Sequence, residues 1–155
     1  MIAMDRDQSA RLLNDALSRE YNSVSSYVLH SSPYTVPGDD AALRAFEEIR
    51  DVQIATASWL TIRLREDFRA GPTLRAFEYW KRDLNYLSVP YLVKFAVEHY
   101  AAASAEYDAL AKANADDPVL KPILARLRDE NAAHRKKLEP FLAKWTTAPK
   151  EGPPS

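Results

Sequence analysis

Glu20, Asp51, Glu98 and the pair Glu130/His134 stand where the amphipathic pattern of this chain calls for apolar residues. Ionised carboxylates gathered inside a helical protein without a cation would cost roughly several kcal/mol per ion. Four such interruptions, the last followed one turn later by an imidazole, therefore point to a shared metal ion. Oxygen and imidazole donors suit iron, manganese or zinc. The 155 residues include no cysteine, which excludes disulfides, thiolate nucleophiles and Cys-based zinc or iron–sulfur centres.

These residues need long helices to carry them. Only 3 glycines occur, and the 10 prolines fall mainly in short clusters, so the chain divides into long segments rich in Ala, Leu, Glu, Arg and Lys. The fold class is read as all-α. Helix 1 is expected from about Asp7 to Ser31, with Leu13, Leu17, Glu20, Val24 and Val28 on one face. Pro33 and Pro37-Gly38 then stop it. Helix 2 is expected from Asp39 or Asp40 to Arg69, ahead of Gly71-Pro72. Its face is ambiguous: Glu47, Asp51, Ile54 and Ser58 form one stripe and Ile49, Val52, Thr56 and Trp59 another, so this helix has two faces with which to meet neighbours. A short helix is expected between Thr73 and Leu87, inside a connection long enough to let helices 2 and 3 run parallel. Helix 3 should span Val89 to Asn114 with Tyr91, Phe95, Glu98, Ala102, Ala105 and Ala109 on one face. Helix 4 opens at Asp116-Asp117-Pro118, and its stripe is Leu120, Ile123, Leu127, Glu130, His134, Leu138, Phe141 and Trp145. Residues 1–145 read as one bundle domain and 146–155 as a disordered tail.

In di-iron bundles one Glu comes from each of two helices and a Glu-x-x-His pair from each of the other two. Glu20 and Glu98 fit the single carboxylates. Helix 2 supplies Asp51 but has Ile54 where the imidazole belongs, and helix 4 places Glu130 and His134 at i, i+4 rather than i, i+3. A π-bulge would bring Glu130 into the usual position; in a regular helix Asn131 is the residue three before His134. A single Glu on a helix face is ordinarily solvated, as the adjoining Glu47 and Glu48 are expected to be, and His30 and His99 are read as surface or interhelix hydrogen-bonding residues.

The stretches Leu12-Leu13-Asn14 through Glu20 to Tyr27-Val28-Leu29-His30, and Leu127-Arg128-Asp129-Glu130 through His134, resemble the first and fourth helices of the ferritin-like superfamily, bacterioferritin most closely. The resemblance implies a ferritin-like four-helix bundle with a long crossover between helices 2 and 3. It further implies a site binding iron or another divalent metal through Glu20, Asp51, Glu98, Glu130 and His134, with Fe(II) oxidation by oxygen or peroxide and Tyr27 beside the metal. Val52 falls at the haem-ligating Met position of bacterioferritins, so haem is not expected.

The rival reading is a ferritin-like bundle that has lost its metal and acts as a non-enzymatic binding or interaction module, its acidic residues satisfied by Tyr27, Asn131, Arg50 or other side chains. A formal net charge of -1 gives no argument for nucleic acid. No apolar run approaches the ~20 residues of a membrane span, and Met1 to Asp7 leads into charged sequence without a signal-peptide core, so a cytoplasmic protein is expected. The aromatic run from Phe77 to Tyr86 is expected to pack over the bundle or to form a dimer contact, and a homodimer is expected.

Overall fold

The computed structural model describes residues 4–31, 33–75 and 87–147. Among the described residues the architecture is a helical bundle with no strand: α1 (Arg6–Tyr21), α2 (Val24–His30), α3 (Asp40–Phe68), α4 (Val89–Ala113) and α5 (Leu120–Thr147). None of these helices is long and apolar enough to cross a membrane.

The expected first helix is broken in two. Asn22 closes α1, and the Ser23 side chain accepts from the Ser26 amide to open α2, so a hydroxyl in the Tyr-Asn-Ser run competes with the helical ladder for the backbone donors. At the start of α1, Asp5 and Gln8 form a reciprocal capping box. The other boundaries lie close to those expected. Arg69 closes α3 in the left-handed conformation (φ 49°), Ser88 caps α4 ahead of Pro90, and Asp117 accepts from the amides of Val119 and Leu120 where α5 begins. The short helix expected between Thr73 and Leu87 falls largely on residues outside those described, as does the tail from residue 148; Thr146 and Thr147 belong to α5.

Helix α3 follows the second expected stripe only in part: Ile49 and Thr56 are buried but Val52 is exposed, as are Asp51, Ile54 and Ser58 of the first. It buries Phe46, Ile49, Gln53, Thr56, Ala57, Leu60, Leu64 and Phe68, which carry more apolar area than the stripe through Asp51, and area removed from water decides the rotation at about 25 cal/mol per Å². Helix α4 is turned likewise: Leu92, Val93, Ala96, Tyr100, Ala103 and Tyr107 are buried, while Tyr91 is 53% exposed and Glu98, Ala102, Ala105 and Ala109 face solvent. Helices α4 and α5 pack closely, joined laterally by Ser104 donating to the Arg128 carbonyl (3.0 Å) and by the Asp108–Arg128 ion pair.

Two apolar clusters fill the interior. One takes Leu13 and Leu17 from α1, Leu60, Leu64 and Phe68 from α3, Tyr107 from α4, and Leu120 to Leu127 from α5. The other takes Val24 and Val28, Phe46 and Ile49, Val89 to Tyr100, and Leu138. Every helix that crosses from one cluster to the other passes through a polar layer.

Candidate functional site

That layer contains Glu20 from α1, Gln53 and Thr56 from α3, Tyr100 from α4, and Asn131 and His134 from α5, all at most 4% exposed. The helical repeat accounts for the pairs: Gln53/Thr56 and Asn131/His134 are each i, i+3 and so share a face. Helix α5 is α-helical throughout, without a π-bulge, so Asn131 projects inward while Glu130 stands one position round at the edge.

Neutral hydrogen bonds hold the centre of the layer, while Thr56 reaches the Glu130 carboxylate at its edge. The Tyr100 and Ser25 hydroxyls bond at 2.5 Å, Gln53 Nε2 donates to the Tyr100 oxygen at 3.4 Å, and Asn131 Nδ2 donates to the Leu127 carbonyl at 2.8 Å. The Tyr100 ring meets His134 edge-on at 5.2 Å and His99 at 5.5 Å. A cavity of about 20 Å³, room for about one water-sized group, opens among Glu20, Gln53, Tyr100, Tyr107 and Asn131. Within this layer, among the described residues, Glu20 Oε2, Gln53 Oε1 and His134 Nε2 have no hydrogen-bond partner.

Burial sets the protonation of this layer. Desolvation, reinforced by the nearby Glu130 carboxylate and opposed by Arg19, pushes the Glu20 carboxyl up to about 8. Desolvation, with Lys137 adding to it, holds the His134 imidazole down at about 4. Burial also raises the Tyr100 and Tyr107 phenols. Near neutral pH the layer is therefore largely uncharged, with Glu20 mostly a carboxylic acid and His134 a free base. Arg19, beside Glu20 in sequence, turns to Glu106 in a two-pronged pair at 2.9 and 3.2 Å.

Of the five residues expected to share a metal, Glu20 and His134 reach the interior. Glu130 is committed at the edge, where Thr56 donates to it at 2.7 Å and Arg126, stacked 3.9 Å over Trp59, donates at 2.9 Å. Asp51 does not enter: its side chain is 69% exposed and pairs with Arg50 at 3.2 Å. Glu98 lies on the exposed side of α4, because Tyr100, two residues on, takes the inward direction. Tyr27 packs half-buried against the second apolar cluster. Among the described residues no group of three or more His, Asp or Glu side chains is disposed to hold a metal ion. A dinuclear carboxylate set thus does not fit the described residues, whereas Glu20 and Gln53, each with an unpartnered buried oxygen, line the small cavity described above.

The carboxylate pattern does not single out Gln53, Thr56 and Tyr100, and it reaches Asn131 only as the neighbour of Glu130. The recurrence of two i, i+3 polar pairs inside the stripes of largest apolar area finds Gln53, Thr56 and Asn131, and nothing comparable marks Tyr100. Comparison with known proteins finds no matching family model, curated protein or solved structure.

Proposed function

We propose that this chain is a ferritin-like bundle in which a di-metal layer has been replaced by a neutral polar one, and that it acts as a non-enzymatic binding module. The observation carrying this reading is the pair of inward i, i+3 positions. Where a di-iron bundle has Glu-x-x-His on two helices, this chain has Gln53-x-x-Thr56 and Asn131-x-x-His134. Amides and a hydroxyl are neutral and weak ligands, so the layer no longer carries the charge that would balance two divalent ions. The ferritin-like topology, with its crossover between α3 and α4, is supported by the two apolar clusters, which take α3 and α4 residues in the same chain order.

A second reading, a single divalent cation held by Glu20 and Gln53, is favoured by their two unpartnered buried oxygens, on residues that line one small cavity. Binding would then displace the Glu20 proton and be strongly pH-dependent.

The test is to restore the charged ligands. Gln53→Glu, Thr56→His and Asn131→Glu, combined with the native Glu20 and His134, should produce saturable Co(II) binding with a visible ligand-field spectrum that the parent chain lacks. A folded triple variant that binds no Co(II) would show that these positions do not form such a layer. A parent chain that already binds two ions would overturn the proposal outright.

A further inference from the structure

We infer that the cavity beside Glu20 takes a single ammonium group, either the free ion or the end of a small primary amine; this rests on the binding-module reading above and names that module's guest. Size sets the first limit. A cavity of about 20 Å³ admits one water-sized group, and an ammonium ion is of that size. What the lining offers such a group is acceptors. Gln53 spends its Nε2 on Tyr100 and Asn131 its Nδ2 on the Leu127 carbonyl, so each amide has its oxygen left to give. Gln53 Oε1 and Glu20 Oε2 are buried with no partner among the described residues, and Glu20, Gln53 and Asn131 all line the cavity. Acceptor oxygens from all of these side chains call for a guest rich in N–H donors, more than the pair of O–H donors that a water molecule carries.

Charge narrows the choice further. Arg19 is matched by both oxygens of Glu106, Arg126 by Glu130 and Lys137 by Glu48, so the cations that approach this layer are spent, and among the described residues no ion pair reaches Glu20. One carboxylate balances one positive charge. The amide oxygens of Gln53 and Asn131 add the hydrogen bonds that a buried ion pair needs to repay its desolvation. The guest takes the place of the Glu20 proton, which leaves to bulk water, and the layer stays neutral in sum.

Urea unfolding of the full chain in ammonium chloride, against sodium chloride at the same concentration and pH, reads the binding, because a ligand held only by the folded chain raises the midpoint. Ammonium should raise it; sodium should not, and neither should tetramethylammonium, which has no N–H to donate. Methylammonium separates the two sources. A rise matching that in ammonium places the end of a primary amine in the cavity, and no rise restricts it to the free ion. Glu20→Gln, with unchanged far-UV circular dichroism, should abolish the ammonium effect, and Gln53→Met should weaken the apparent affinity about tenfold. An equal rise in sodium, a rise that survives Glu20→Gln, or no rise in ammonium overturns the proposal. Failure of the binding-module reading looks different: two divalent ions bound per chain, whatever ammonium does.

Discussion

Replacing Glu20 with glutamine should make the protein more stable in alkaline solution, by an amount that grows with pH. The Glu20 carboxyl has an ordinary value of 4.5 and is pushed up to about 8 by burial. The folded chain therefore holds a proton that the unfolded chain releases, so stability is fully present below the ordinary value and is lost as pH rises through the folded one. At about 1.4 kcal/mol per pH unit the full gap is worth about 5 kcal/mol. Between about pH 5 and about pH 9 the parent chain should lose about 4 kcal/mol relative to Glu20→Gln, which keeps the shape and cannot ionise. Urea unfolding followed by far-UV circular dichroism at a series of pH values measures the difference directly. His134 acts in the opposite sense, its stability contribution being lost as pH falls from its ordinary 6.5 toward about 4; it is common to both proteins and cancels. A flat difference would mean that Glu20 is ionised in the folded chain and faces a counter-charge, contradicting the neutral layer. A difference that becomes flat only when a divalent metal is added would favour the single-cation reading instead.

Tyr100→Phe should cost about 1–3 kcal/mol, because the Ser25 hydroxyl and Gln53 amide would each lose a partner inside the bundle; equilibrium unfolding checks this, and no loss would mean that water replaces the phenol. Ser23→Ala removes the cap of α2 and should cost about 1 kcal/mol, visible in the same experiment and in faster amide exchange over Val24 to Tyr27. An unchanged α2 exchange pattern would refute the capping role.

The all-helical class and most element boundaries were legible because glycine, proline and capping residues punctuate the chain locally. Rotation of the helices about their axes was less so. On α5 one strong stripe fixed His134 correctly, but the same stripe admitted Glu130 or Asn131, one residue apart, and packing chose Asn131. On α3 a search for charged ligands led to Asp51, although Phe46, Ile49, Leu60 and Leu64 together outweigh its stripe in apolar area and turn Gln53 and Thr56 inward. Glu98 fails for a similar reason, since the large ring of Tyr100 two residues on competes for the interior. The break between α1 and α2 depends on one side-chain hydrogen bond, which hydrophobic periodicity does not register.

Anaerobic titration of the chelator-free parent protein with Fe(II), followed by admission of oxygen, tests the neutral layer most directly. Uptake well below one ion per chain, with no oxygen-dependent absorbance beyond that of iron in buffer, is the result this account predicts. Saturable uptake of two ions per chain with rapid oxidation, abolished by Glu20→Ala together with His134→Ala, would contradict it.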